Sequence, residues 1–250
     1  MVDLHIIFLI LMSPFVGSFL GLVAERLPQG QAILIGRSRC NHCCKPLGAR
    51  DLVPLFSWLI NRGKCRFCQG PIPWSYNLIE MAAFIVAVWS AIVLPGWLAW
   101  ATAALGWALL TLSVIDSRHL YLPDQITLPL IPAGLLVIGL IAPEHLWDHA
   151  IGAAAGFLLI WVLRWLYFRL KAVEGIGLGD AKLLSAAGAW VSWQGLPSVI
   201  LIAAGAALVV VLFQRAFGQK LTDRHEKTAF GSYLAAGLWL IWLYGPLSMG

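Results

Sequence analysis

Charged residues are scarce in this sequence. They make up 12% of its 250 residues, while 60% are hydrophobic and the mean hydropathy is +0.82. A soluble domain carries about 25% charged residues, so a soluble fold of this length would have too few charges to cover its surface. The composition excludes an ordinary soluble protein and predicts a lipid bilayer as a partner. Membrane orientation then explains the net charge of +5, and no nucleic-acid partner is expected.

Alternation of apolar and polar residues, which is typical of a transmembrane β-barrel, is also missing. The apolar residues form continuous runs, which predict an all-α polytopic membrane protein of about eight transmembrane helices. No basic residue precedes the first run and no clean cleavage site follows it, so we interpret it as a retained span and not as a signal peptide. The runs lie roughly at 4–24, 77–94, 97–115, 125–142, 147–168, 181–194, 196–213 and 230–247.

Basic residues are absent from one side of the predicted membrane. Counting residues within a turn of the span ends, all 17 Lys and Arg residues belong to the connections on the other side. The positive-inside rule predicts that these connections are cytosolic and that both termini lie outside. The sixth run is short, and its fusion with the seventh across Pro197 is the alternative, but fusion would move the basic residues of 214–229 outside. The predicted cytosolic connections are 25–75, 116–124, 169–180 and 214–229.

The longest connection, 25–75, holds two C-x-x-C pairs. Two such pairs among turn residues can bring four thiolates together around Zn²⁺, and a metal would supply folding energy that a loop of this size lacks. We therefore predict a small cytosolic zinc-binding loop domain in which the metal is structural. Two disulfides or a redox dithiol are the alternatives, and a cytosolic location disfavours disulfides. The predicted ligands are Cys40, Cys43, Cys65 and Cys68, with Cys44 as a spare thiol and His42 as a less favoured substitute.

Carboxylates are few, and several lie inside or at the ends of apolar runs, where ionisable groups are costly and point to function. Asp124 follows a proline and opens a predicted helix, so we expect it to cap that helix, and capping is an alternative role for Asp180, which also opens a predicted helix. Asp116 ends a predicted helix, where its charge opposes the helix dipole, so a structural role explains it least. From the residues alone, a catalytic Asp116–Asp180 pair stays one hypothesis beside capping. The carboxylates in question are Glu80, Asp116, Asp124, Glu174 and Asp180.

The order of these features resembles the type IV prepilin peptidase family, the leader peptidases of type II secretion. The resemblance covers nearly the whole chain. The residues that carry it are Gly17-Ser18-Phe19-Leu20, Arg26-Leu27-Pro28, Gly36-Arg37-Ser38-Arg39-Cys40 with both cysteine pairs, Pro54-Leu55-Phe56-Ser57-Trp58-Leu59, Pro71-Ile72, Glu80, Ile115-Asp116, Leu122-Pro123-Asp124, Glu174-Gly175 and Gly177-Leu178-Gly179-Asp180-Ala181-Lys182-Leu183.

The resemblance implies an aspartyl endopeptidase similar to the presenilin-like G-x-G-D enzymes. Such enzymes cut prepilins and pseudopilins after a glycine, before a hydrophobic residue that is usually phenylalanine, on the cytosolic face of the bacterial inner membrane. Many also methylate the new N-terminus with S-adenosylmethionine. The catalytic pair of the family maps onto Asp116 and Asp180. Two positions depart from the family pattern, because the family usually has Asn where Gly21 stands and Pro where Ser232 stands. The departure at Gly21 bears on methylation, because the family's methylation determinants are attributed to the N-terminal region.

The expected mechanism has two aspartates that share one proton and hold a water molecule. We expect Asp180 to be the ionised member, because a helix N-terminus favours an anion, and Asp116 to hold the proton. Three regions are predicted: a first transmembrane helix at 1–24, the four-cysteine region at 25–75 and a seven-helix peptidase domain at 76–250. Two other functions stay open, a membrane transporter and a non-catalytic assembly factor for a pilus or secretion system.

Overall fold

The regular structure of the protein is helical. The computed structural model describes residues 4–33, 38–40, 42–171, 177–217 and 229–247, and within them no strand forms. Its α-helices, in chain order, are α1 (Leu4–Arg26), α2 (Phe56–Ile60), α3 (Ser75–Val93), α4 (Trp97–His119), α5 (Asp124–Ile141), α6 (Leu146–Lys171), α7 (Leu178–Ala216) and α8 (Phe230–Tyr244). The predicted all-α class is therefore confirmed.

Six of these helices are long and apolar enough to cross a membrane, namely α1, α3, α4, α5, α6 and α7, and α8 is a shorter apolar helix. α7 has 39 residues, which in one straight helix would measure about 58 Å. The hydrocarbon core of a bilayer is only about 30 Å thick. The helix is interrupted at Ser192, where φ is 64° and ψ is 171°. Two helical segments, 178–191 and 193–216, therefore make up α7.

Packing against α8 shows that the chain turns back at Ser192. Trp190, just before the break, packs edge-to-face on Trp242 near the end of α8, with ring centroids 4.9 Å apart. Beyond the break, the carbonyl oxygen of Val199 lies 2.7 Å from the position that a Cβ on Gly237 would occupy. Because Gly237 lies more than a turn before Trp242, the chain at Val199 is heading back along α8. The two segments of α7 thus run in opposite directions, and the prediction of about eight transmembrane segments is confirmed.

The chain folds into two compact units, Met1–Thr111 and Leu112–Gly250. In the first unit, α1 packs on α3 at Gly17, where an added Cβ would lie 2.6 Å from the α-carbon of Glu80. The absence of a side chain lets the two backbones approach this closely. In the same unit, the Trp107 indole N–H donates to the Ala83 carbonyl oxygen at 3.0 Å. The division into 1–24, 25–75 and 76–250 stays a prediction.

In the second unit, α6 and α7 pack closely because glycines line the surface between them. A Cβ on Gly152 would lie 2.6 Å from the backbone nitrogen of Trp193, and 2.7 Å from the carbonyl oxygen of Gly188. α5 joins this packing through Trp190, whose indole N–H donates to the Leu130 carbonyl oxygen at 2.9 Å. These interactions fix α7 within the unit and so position its first turn, which carries Asp180.

Candidate active site and metal centre

Asp116 lies in the last turn of α4 and is only 5% exposed. Its Oδ2 atom accepts a hydrogen bond of 3.0 Å from the backbone N–H of Ser232, in the first turn of α8. The Ser232 hydroxyl oxygen is 3.4 Å from the same Oδ2 and donates to the Ser113 carbonyl oxygen at 3.1 Å. The first N–H groups of a helix have no partner within it and carry a partial positive charge. The start of α8 therefore offsets the unfavourable position of Asp116 at the end of α4.

Gly231 allows this approach between Asp116 and α8. A Cβ at Gly231 would lie 3.0 Å from Oδ2 of Asp116 and 2.8 Å from Cδ1 of Leu122. Leu122 also packs against the start of α7, since a Cβ at Gly179 would lie 2.9 Å from the Cβ of Leu122. Leu122 thus lies against the glycines that adjoin both aspartates, and the carboxylates of Asp116 and Asp180 are close enough to interact electrostatically.

Asp180 is the third residue of α7 and is half-buried. Gly177 occupies the N-cap position, and the described residues around it show no side-chain capping hydrogen bond at this helix start. Capping, the structural alternative for Asp180, is therefore not observed. The position leaves its carboxylate available for chemistry beside Asp116.

Asp124 does not cap α5, so that expectation is wrong. The N-cap residue is Pro123 and Asp124 is the first helical residue, without a side-chain capping hydrogen bond. Its Oδ1 atom instead pairs with Nζ of Lys182 at 2.6 Å. The sequence did not show that Pro123, and not Asp124, occupies the N-cap position. It also did not show the ion-pair partner of Asp124, which lies 58 residues away along the chain.

Glu80 is 6% exposed in α3 and belongs to the first unit. Its Oε2 atom accepts the backbone N–H of Leu55 at 2.8 Å, and the Ser18 hydroxyl also hydrogen-bonds to it. Leu55 precedes α2 and has φ 61°, a conformation that is strained for a leucine. Glu80 therefore holds the loop in this conformation. Glu174 lies outside the described residues.

The four predicted cysteines meet in the first unit. Their Sγ atoms all lie within 4.8 Å of one another, and this arrangement can hold a metal ion. All five cysteines of the chain are described, and none of them forms a disulfide. Backbone N–H groups of Cys43 and His42 lower the pKa of the Cys40 thiol to about 6, whereas burial and the neighbouring thiols raise the pKa of the Cys68 thiol to about 11. The lowered pKa favours the thiolate, the form that binds metals, at Cys40 alone of these two.

The two C-x-x-C pairs form matching turns. The N–H of Cys40 donates to the Lys45 carbonyl at 3.0 Å, and in the second turn the N–H of Cys65 donates to the Gly70 carbonyl at 2.8 Å. Cys44 and Gln69 occupy the same place in these turns, with φ of 57° and 58°. Cys44 is exposed and outside the cluster, so its role is that of a turn residue, as Gln69 is in the second turn.

The fold and the two centres define a class of protein: a multi-pass membrane protein with paired aspartates at helix ends and a separate four-cysteine centre. Two family models match the chain. Residues 11–94 match the bacterial Peptidase A24 N-terminal domain, and residues 103–212 match the type IV leader peptidase family.

Curated relatives cover most of the chain. A protein of Aeromonas hydrophila is 39% identical over 94% of this chain and 89% of its own length. A protein of Burkholderia pseudomallei is 42% identical over 85% of this chain and 69% of its own length. Both carry the name prepilin leader peptidase/N-methyltransferase. No solved structure matches the chain. The chain belongs to the type IV leader peptidase family, which confirms the resemblance, and it is a multi-pass inner-membrane protein.

Three further residues shape the aspartate site through contacts that the sequence patterns did not predict. Leu122 packs between the glycines, Ser232 hydrogen-bonds to Asp116, and Lys182 pairs with Asp124. Ser232 carried one signal, since the family resemblance implies a proline at this position. Proline has no N–H, so a proline here could not donate the hydrogen bond that Ser232 donates to Asp116.

Proposed function

We propose that this protein is a prepilin leader peptidase that uses Asp116 and Asp180 as its catalytic pair and also methylates the new N-terminus. The observation that carries the proposal is the proximity of these two aspartates: Asp180 lies at the start of α7, and Asp116 lies at the end of α4 against the start of α8. The chain is also 39% identical to a protein named prepilin leader peptidase/N-methyltransferase. The substrates are prepilin or pseudopilin precursors, which are cut after glycine.

In the proposed mechanism, the two carboxylates hold a water molecule and share one proton, because like charges at close range do not both ionise. The ionised member takes a proton from the water as the water oxygen bonds to the scissile carbonyl carbon. The protonated member donates a hydrogen bond to the carbonyl oxygen and then transfers its proton to the nitrogen of the leaving amine as the carbon–nitrogen bond breaks. Peptide hydrolysis results, with one water consumed.

The hydrogen bond from Ser232 supports Asp116 as the ionised member. A backbone N–H that donates to a carboxylate oxygen favours the charged form, and Asp116 has this donor at 3.0 Å. Among the described residues around Asp180, no such donor to its carboxylate is seen at the start of α7. This proposal reverses the expectation from the sequence, which considered only the helix that carries each aspartate.

We further propose that the cluster of Cys40, Cys43, Cys65 and Cys68 holds a structural Zn²⁺. Four thiolates form a closed tetrahedral site without an open position for water or substrate. The ion would therefore stabilise the loop and take no part in cleavage. Sulfur atoms within 4.8 Å of one another support this set of ligands.

We propose that the aspartates and the cysteine centre lie on the cytosolic side of the membrane. The reversal of the chain at Ser192 supports this orientation, because it makes the predicted eight-span arrangement possible. With eight spans, the connections that carry the Lys and Arg residues share one side, and basic loops remain in the cytosol.

For methylation, S-adenosylmethionine would supply the methyl group, as its sulfur–carbon bond breaks, a nitrogen–carbon bond forms and the amine gives up a proton.

Cleavage by the purified protein tests the proposal. The protein in detergent should cut a prepilin peptide after its glycine without added proteins. A transporter or an assembly factor would leave the peptide intact, so an uncut peptide with folded, zinc-loaded protein contradicts the proposed function.

A further inference from the structure

The short helix α2, in the loop between α1 and α3, has an apolar face that the described residues of the protein leave uncovered. This face consists of Phe56, Leu59 and Ile60, which are 64%, 69% and 77% exposed. Their spacing of three and four residues places them on one side of the helix. Neither the aspartate mechanism nor the metal centre uses this face. Exposed apolar patches on proteins commonly mark a surface that binds a partner or a membrane.

The position of α2 along α3 places it at membrane depth. α3 has 19 residues, about 28 Å in length, and so needs its full length to cross a hydrocarbon core of about 30 Å. Leu55, which precedes α2, donates its backbone N–H to Oε2 of Glu80 at 2.8 Å. Glu80 is the sixth residue of α3 and lies about 8 Å along the helix axis from Ser75, the first. α2 therefore begins beside the span and not beyond its end.

Aromatic and basic residues around α2 are those expected at a membrane–water interface. Trp58 of α2 packs edge-to-face on Trp74, the N-cap residue of α3, with ring centroids 5.4 Å apart. Trp74 is itself 59% exposed, and tryptophan is enriched where membrane meets water. Arg62 and Lys64 follow shortly after α2 and are exposed. Basic residues next to an apolar helix face are attracted to anionic lipid head groups.

Hydrogen bonds pair the backbone of α2 in the way that contact with lipid requires. Lipid tails offer no hydrogen bonds, so unpaired backbone groups are costly there. The Leu55 N–H is paired with Glu80, and the Leu59 N–H donates to the Leu55 carbonyl oxygen at 3.1 Å. At the other end, the Asn61 side-chain amide donates to the Ser57 carbonyl oxygen at 2.8 Å. Glu80, a buried carboxylate that the aspartate mechanism does not use, thus pairs a backbone donor at membrane depth.

We propose that α2 is an interfacial helix whose apolar face inserts into the lipid bilayer beside α1 and α3. The depth along α3, the tryptophans and the basic residues all favour lipid over a protein partner as the occupant of this face. Insertion would anchor the loop that carries the cysteine centre to the membrane surface. The proposal depends neither on the catalytic roles of the aspartates nor on which side of the membrane the loop lies.

Hydroxyl-radical footprinting of the unaltered protein in lipid nanodiscs tests the insertion. Phe56 and Phe67 are the same residue type in one loop, and they are 64% and 42% exposed. If water covered both side chains, Phe56 would be oxidised faster. Insertion predicts the opposite order, with Phe56 oxidised several-fold more slowly than Phe67. Oxidation of Phe56 at the rate of Phe67 or faster would overturn the proposal.

Photochemical cross-linking then identifies what covers the face. A photoreactive amino acid in place of Leu59, in the full-length protein in nanodiscs of labelled phospholipid, should capture lipid. The same substitution at Leu136, which is 65% exposed within α5, is the positive control. Gln69 is exposed in the same loop and is the matched control, which should capture little lipid. Capture of protein in place of lipid from position 59 would overturn the proposal, and footprinting decides alone if this variant does not fold.

Discussion

Gly231→Ala probes how closely α8 approaches Asp116. The new Cβ would lie 3.0 Å from Oδ2 of Asp116 and 2.8 Å from Cδ1 of Leu122. Ordinary van der Waals distances at a Cβ begin at about 3.4 Å, so the carboxylate or α8 must move by a few tenths of an ångström. Since a misplacement of about 1 Å at a catalytic site can cost about 100-fold in rate, we expect kcat to fall by about tenfold. Overpacking should also cost about 1–3 kcal/mol of stability.

Gly139→Ala is the matched control for this substitution. Gly139 lies within α5, and a Cβ there would have no neighbour within 4 Å. This variant should keep the normal kcat and gain up to about 1 kcal/mol of stability, because alanine favours a helix over glycine. The assay is steady-state cleavage of a prepilin peptide by each variant, with thermal unfolding alongside. A folded Gly231→Ala protein with the kcat of the Gly139→Ala control would refute the close packing of α8 on Asp116.

Two other predictions concern the cysteine centre and the ion pair. Cys40→Ser should abolish stoichiometric zinc and lower the Tm, whereas Cys44→Ser should do neither because Cys44 lies outside the cluster; elemental analysis checks this, and zinc retained in Cys40→Ser would contradict the proposed ligands. Asp124→Asn breaks a pair with Lys182 whose side chains are 51% and 25% exposed, and such pairs contribute about 0–1 kcal/mol. The kcat of this variant should therefore stay within about fivefold of normal. Complete loss of cleavage in folded protein would show that Asp124 has a role beyond its ion pair with Lys182.

Patterns that are local in the sequence predicted much of the fold. Continuous apolar runs predicted the helices, because only a helix satisfies its own backbone hydrogen bonds in lipid. The C-x-x-C spacing predicted the cysteine cluster, since each pair forms its own turn. The break within α7 was predicted at residue 195, between the runs 181–194 and 196–213, with Pro197 close by, and it occurs at Ser192. A helix tolerates proline in its first turn, so Pro197 indicates that a helix begins nearby but does not fix the residue at which the break occurs.

Interactions between distant residues could not be predicted in this way. The hydrogen bond between Asp116 and Ser232 joins residues 116 positions apart. Without it, Asp116 is seen only as a charge at the unfavourable end of α4. The role of Asp124 was likewise misjudged because Lys182 approaches from another helix. The sequence indicated which carboxylates matter but not what each one touches.

The most direct test of the proposed function is prepilin cleavage by Asp116→Asn, Asp180→Asn and the double variant. Asparagine keeps the size of aspartate but cannot share the proton, so each single variant should lose cleavage about as fully as the double variant, since groups that act as a unit are not additive. Zinc content and thermal unfolding should stay normal in all three proteins. We expect no cleavage above background from any of them. A well-folded Asp180→Asn protein that cuts prepilin at the normal rate would contradict the aspartyl mechanism.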